Sequence, residues 1–290
     1  CLPLRRFPAS LPHNKLIGYW VEQLQSLFHL QSAIDRAHLD VKYGNIWKYA
    51  KTSAFDREEA LFVTRVPEEG GYILDFLGET PAGKFIVNRI SAALRPAIEK
   101  AMQGGERHIE NFPDQIETRK RQLASSVFNL PTCQEIIDNP PEQISRRYGD
   151  RSIVKEFDQI ASIIRSSNTS DDSAIELQMT GDNTNNFIFN KPISENFHAV
   201  VAEKLIGEPV IYLAKITSLD HKNMKGKVYN VFSKKEANIH FVKTEDFFKV
   251  KPHLGDENPA KIIACPLIEY GAFDPRAGDI YFVDLIQEDG

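Results

Sequence analysis

The sequence predicts an α+β chain in which helix–hairpin–helix units precede a C-terminal five-stranded β-barrel of OB-like or SH3-like type. Three observations carry this. Apolar residues recur at helical spacing in four segments before residue 206. Two pairs of strand-like runs fall between them, each pair joined by turn-forming residues. From Gly207 onward the pattern becomes that of strands, with one short helical piece between the third and the fourth.

The first helix is expected over Asn14 to Ile34, where Leu16, Trp20, Leu24, Leu27, Phe28 and Ile34 share a face. Strand-like runs follow at Ala60 to Val66 and Tyr72 to Leu77, and the intervening Pro-Glu-Glu-Gly-Gly is turn chemistry. A second helix is expected over Lys84 to Met102, with Phe85, Ile86, Ile90, Leu94, Ile98 and Met102 inward. Pro96 should kink or break it near Ala92, because proline removes one backbone hydrogen bond. Pro113, Pro131 and Pro140-Pro141 divide residues 112–150 into shorter helices that read as a connector. A third helix spans Ser152 to Arg165, and the polar run at 166–173 is a loop. The second hairpin joins Ala174–Met179 to Phe187–Phe189, and the fourth helix covers Ser194 to Leu205.

The closing strands are expected at Val210–Leu219, Gly226–Phe232, Ala237–Val242, Lys261–Tyr270 and Asp279–Ile286. The short helix is Thr244 to Val250, with Thr244 as its N-cap. These shifts in pattern place domain boundaries at 1–110, 111–206 and 207–290.

Composition bounds the function. The chain has 290 residues, 42% of them hydrophobic, enough to bury a core without covalent staples. The net charge of −5 is too small to argue for a nucleic-acid binder or a disordered acidic tail. No apolar run approaches the roughly 20 residues needed to span a bilayer, so no membrane association is expected and a cytoplasmic setting is. Three cysteines, Cys1, Cys133 and Cys265, stand far apart without a CxxC pair, which argues against a disulfide framework and a zinc knuckle. Cys1 is followed by Leu-Pro-Leu-Arg-Arg, not the polar tether of a lipid-anchored cysteine.

Three stretches bear on chemistry. Gly78-Glu-Thr-Pro-Ala-Gly83-Lys84 fits GxxxxGK, in which glycines turn backbone N–H groups onto phosphates and lysine adds charge. Phe85 stands where a magnesium-holding hydroxyl belongs, so Gly78, Gly83 and Lys84 define only an alternative, nucleotide-binding reading. Pro113-Asp114 with Glu117, Arg119 and Lys120 is similar to a metal-dependent nuclease signature. Its acids are too close in sequence to converge from adjacent strands, so Arg119, Lys120 and Arg121 read as a solvated face. The eight histidines form no HxH, HxxxH or HExxH spacing, so no metal, cofactor or catalytic residue is assigned.

The third stretch is the most informative. Residues 221–251 hold eight lysines against three acids, with aromatic residues among them and no arginine. Lysines follow phosphates and exposed rings stack bases. Lys222, Lys225, Lys227, Tyr229, Lys243, Phe248, Lys249 and Lys251 are therefore the candidate nucleic-acid-binding residues. The turn placement in KITSLDHKNMKGKVYNV, NIHF and KIIACPLIEYGAFDPRAGDIYFVDL is similar to that of uncharacterised prokaryotic proteins ending in a small β-barrel. That resemblance implies a bacterial setting within a multi-component system. The expected function is a non-catalytic binding or scaffold protein, with a protein partner and with single-stranded nucleic acid at the barrel.

Overall fold

A computed structural model describes residues 2–3, 13–44, 46–48, 50–60, 62–64, 71–72, 74–76, 81–104, 111–125, 129–167, 169 and 171–286, with the backbone alone at 2–3, 13–24, 62–64, 71–72 and 74–76. In chain order the elements are β1 (Leu2–Pro3), α1 (His13–Tyr43), α2 (Ala54–Glu59), β2 (Phe62–Thr64), β3 (Gly71–Tyr72), β4 (Leu74–Phe76), α3 (Pro81–Met102), α4 (Phe112–Ser125), α5 (Cys133–Asp138), α6 (Glu142–Arg165), β5 (Ala174–Thr180), β6 (Thr184–Asn190), α7 (Lys191–Val201) and β7 (Lys204–Ile206). The rest is β8 (Val210–Asp220), β9 (Lys225–Asn230), β10 (Lys235–His240), α8 (Thr244–Val250), a 3₁₀ turn (Lys251–His253), β11 (Ala260–Glu269) and β12 (Ile280–Leu285). Helices thus precede a closed five-stranded barrel. Among the described residues no helix is long and apolar enough to cross a membrane.

The chain forms two compact units, Cys1–Arg107 with Gly149–Ala202, and His108–Tyr148 with Glu203–Gly290. In the first, α1 runs nine residues past its expected end at Ile34, because the buried stripe of Leu30, Ala33, Ile34 and Ala37 continues to His38. Gly44, at φ +71°, stops it in the left-handed conformation, and its N–H bonds the Asp40 carbonyl at 2.9 Å. Helix α3 begins at Pro81, whose fixed φ suits a first helical position, and runs unbroken across Pro96. Pro96 is exposed, so the missing bond lies on the water side.

The buried face of α3 is Ile86, Val87, Ile90, Ala93, Leu94, Ala97, Ile98 and Ala101. Phe85 and Met102, expected inward, are instead 60% and 67% exposed. The alanines let α1 and α7 approach closely, so the stripe is centred on small residues. Buried Asp158 on α6 holds Arg165 at 2.8 Å and His198 of α7 at 2.9 Å. Helix α7 starts at Lys191, three residues before its expected start, because Asn190 accepts a bond from the Ile193 N–H at 3.0 Å. It also stops sooner, so Leu205 is a half-exposed residue of β7 and not part of the buried stripe.

In the second unit the barrel closes in the order β8–β9–β10–β12–β11 and back to β8, with β7 pairing the last residues of β11, Leu267–Glu269. Every pairing is antiparallel except β10 with β12, where His240 faces Tyr281. Alternate residues point inward: Val210, Tyr212, Ala214 and Ile216 from β8, Val228 from β9, Ala237 and Ile239 from β10, Ile262 and Ala264 from β11, Ile280 and Phe282 from β12. Phe247 and Val250 of α8 join this core beside Phe241, at the end where β10 stops. Cys133, Ile136 and Ile137 of α5 join it where β8 starts, and the Ile211 N–H bonds the Pro131 carbonyl at 3.0 Å. The interior is therefore filled with side chains.

Helix α4 lies on the outside of β11 and β12. Its Phe112, Ile116 and Leu123 pack with Cys265, Val283, Leu267 and Tyr281. Of the residues expected as a solvated face, Arg121 is exposed, but Arg119 and Lys120 are half-buried and paired with acids from other elements. Lys120 reaches Asp246 of α8 at 2.6 Å, Glu117 holds Lys243 at 2.8 Å, and Arg119 meets Glu208 at 2.6 Å. Thr244 is the first residue of α8, and Lys243 takes the cap position without a side-chain bond.

Candidate functional site

Strand β9 reads Lys-Gly-Lys-Val-Tyr-Asn, and period-2 alternation sends Lys225, Lys227 and Tyr229 outward while Gly226, Val228 and Asn230 face in. On β10 the outward residues are Glu236, Asn238 and His240. Register places Lys225 opposite His240, Lys227 opposite Asn238 and Tyr229 opposite Glu236. Helix α4 covers the neighbouring β11–β12 flank, whereas Lys225 and Lys227 are exposed and Tyr229, Asn238 and His240 half-exposed. The barrel thus presents two lysines, a phenol, an amide and an imidazole side by side.

Two side chains of this face, His240 and Asn238, are held in place. The His240 ring stacks on Tyr281 with centroids 5.0 Å apart, and its Nε2 lies 3.2 Å from Asp279. Asn238 donates to the same carboxylate at 3.0 Å. A bulge in β8 between Ile216 and Ser218 turns Thr217 outward, where its hydroxyl lies 3.2 Å from the Lys227 carbonyl and 3.3 Å from Glu236. Lys227 and Glu236 approach to 3.8 Å. Both side chains are at least half exposed there, so the pair is weak and solvated.

Cations mark both ends of the strand pair. Lys222 stands in the β8–β9 turn and Lys234 in the β9–β10 turn, both exposed. Bonds from the side chain and backbone of Asn223 shape the first turn and hold the Asp220 carboxyl below its ordinary range. The ring of Phe248 on α8 is half exposed, with His221 at 5.5 Å and the Lys251 ammonium at 5.6 Å. Lys249 pairs with Asp284 of β12 at 3.2 Å. The bond to Glu117 raises the Lys243 pKa and lowers that of Glu117.

Of the predicted nucleic-acid set, Lys225, Lys227 and Tyr229 share one strand face, with Lys222 in the adjoining turn. Phe248 and Lys251 form a second group with His221. Lys243 is paired with Glu117 of α4, and Lys249 makes an exposed, weak pair with Asp284 of β12. Asn238 and His240 belong to the face but carried no signal by themselves. The outward alternation of Lys-Glu-Ala-Asn-Ile-His could have found them once β10 was paired in register with β9. Of the alternative set, Gly83 and Lys84 lie in the first turn of α3, and Gly78 lies outside the described residues.

The two described cysteines are free and buried. Cys133 Sγ donates to the Pro275 carbonyl and accepts from Asn230, each at 3.2 Å. Burial pushes its thiol up to about 11 and that of Cys265 up to about 12, so neither is poised as a thiolate nucleophile. Among the described residues, His38, Asp56 and Glu59 of the first unit bring three metal-capable donors together. No family model, no curated protein and no solved structure matches the chain.

Proposed function

We propose that the C-terminal barrel is of the oligonucleotide/oligosaccharide-binding type, and that the chain is a non-catalytic binding protein that takes single-stranded nucleic acid across β9 and β10. The strand order supports the OB assignment over an SH3-like one. The first barrel strand pairs with both the second and the fourth, the third runs parallel to the fifth, and the helix stands between the third and fourth. OB barrels use the outer side of their second and third strands for such ligands, and those strands here are β9 and β10.

One observation carries the functional reading. The β9–β10 face sets Lys225 and Lys227 beside Tyr229, Asn238 and His240, on a flank that α4 leaves uncovered. Lysines neutralise phosphates, the two rings offer stacking surfaces, and the amide can bond base edges without selecting one base strongly.

The test is fluorescence anisotropy with a labelled oligothymidylate at about 50 and 200 mM salt, where non-specific sites of this kind show dissociation constants of roughly 10⁻⁴–10⁻⁶ M at physiological salt. Affinity should fall as salt rises. The double variant Lys225→Glu, Lys227→Glu should bind at least about tenfold more weakly, with a shallower salt slope. Tyr229→Ala should lose about 1–3 kcal/mol, the worth of one stacked base. Salt-independent binding, or the same affinity in the double variant, would overturn the proposal.

A further inference from the structure

A separate group of side chains in the first unit has the arrangement of a metal site. His38 and Lys42 lie one turn apart on α1, and Asp56 and Glu59 lie one turn apart on α2. His38 Nε2 stands 3.3 Å from Asp56 Oδ1 and 3.5 Å from Glu59 Oε2. Zinc bonds of about 2.0–2.1 Å in a tetrahedron separate neighbouring donors by roughly 3.3–3.4 Å. The imidazole stands at about that separation from both carboxylates, and the three donors lie within 4.8 Å of one another. Three protein donors leave a fourth corner, the pattern of sites that keep a position open.

The carboxylate is also aimed. Asp56 Oδ2 accepts from the Ser53 N–H at 2.8 Å and the Ser53 hydroxyl at 2.7 Å, which completes the capping box of α2. That leaves Oδ1 directed at His38, with the Tyr43 hydroxyl 3.2 Å away. A ligand oxygen oriented by bonds to its twin is how a supporting shell fixes metal geometry. The His38 side chain is 7% exposed and that of Asp56 2%, so both donors are already withdrawn from bulk water.

The Lys42 ammonium now bridges the two carboxylates, 2.7 Å from Asp56 and 2.9 Å from Glu59. Its side chain is 30% exposed, and its Nζ lies 4.7 and 5.5 Å from the exposed rings of Phe55 and Tyr43. With Lys42 the two carboxylates keep one net negative charge, whereas a divalent cation in its place would cancel both carboxylate charges.

We propose that His38, Asp56 and Glu59 bind a divalent transition metal of zinc type, with Lys42 as the internal cation that the metal displaces. One imidazole and two carboxylates suit zinc or cobalt better than calcium, which takes oxygen ligands alone. The experiment is a titration of the full chain with zinc by calorimetry and with cobalt(II) by visible absorption. One equivalent should bind, and cobalt should give the strong bands of a tetrahedral site. His38→Ala and Glu59→Gln should abolish the bands while circular dichroism stays unchanged. Lys42→Met should bind roughly tenfold tighter or more, because a competing charge is gone. Absence of stoichiometric binding in both wild type and Lys42→Met would overturn the proposal, as would binding that survives both His38→Ala and Glu59→Gln.

Discussion

At Gly226 the barrel wall has no room for a side chain. A Cβ built there would stand 2.5 Å from the Ser218 carbonyl oxygen and 2.8 Å from Leu219. Both neighbours belong to the bulged part of β8, so relief would require the bulge to move. Gly226→Ala should destabilise the second unit by about 1–3 kcal/mol, the usual cost of overfilling a packed site. Urea denaturation of the two proteins would measure it. Because the same bulge turns Thr217 toward Glu236 and the Lys227 carbonyl, the substitution should also weaken oligonucleotide binding. Equal midpoints would show that the bulge yields freely. The sequence makes part of this visible. The alternation of β9 already separates Lys225, Lys227 and Tyr229 from Gly226 and Val228. The bulge is hidden, because it arises from the pairing of two strands and not from either alone. Lys243 and Lys249 show the same limit: their partners, Glu117 and Asp284, are far away in sequence.

At the scale of elements, helix limits follow from caps. Asn190 accepts the Ile193 N–H, and Pro192 occupies the first turn of α7, where its missing N–H costs nothing. Asn190→Ala should cost about 1 kcal/mol, read as a lowered thermal midpoint, while Asn190→Ser should retain most of the stability. If both variants match wild type, the cap contributes nothing. The five barrel strands and the α8 segment are legible from alternation and length, whereas β7 is not, because Leu205 continues the apolar period of the helix before it. The inward face of α3 is less legible, because Ala93, Ala97 and Ala101 are among its fully buried positions and a methyl group gives little periodic signal. The early start of α6 at Glu142 was masked by Pro140-Pro141, which precede a helix here. The ion pairs of α4 were unreadable for a different reason. A run of Arg and Lys looks alike whether it faces water or distant carboxylates.

At the scale of the molecule, the barrel is completed by the segment 108–148, which the fifty-four residues 149–202 separate from 203–290. Cys133 of α5 is 1% exposed inside the barrel core, and Ile116 of α4 is fully buried on its outer flank. Removing α4 would uncover Ile206, Cys265 and Val283 as well. A fully buried side chain of this size contributes about 1.5–3 kcal/mol, so losing several approaches the roughly 5–15 kcal/mol that a whole domain has. Residues 203–290 expressed alone should therefore unfold without a sharp transition and bind a hydrophobic dye. Joining 111–148 to 203–290 through a short flexible linker should restore cooperative unfolding, because it returns α4 and α5 to the strands that they cover. Circular dichroism against temperature, run on both proteins, distinguishes the cases. Cooperative melting of 203–290 alone, at the midpoint of the joined protein, would mean that the five strands hold themselves closed and that α4 and α5 merely rest on them. The proposed oligonucleotide face lies on the outer side of β9 and β10, and of its residues His240 approaches α4, through Tyr281. Its affinity should therefore follow the folded fraction in this pair, and the joined protein should bind as the full chain does.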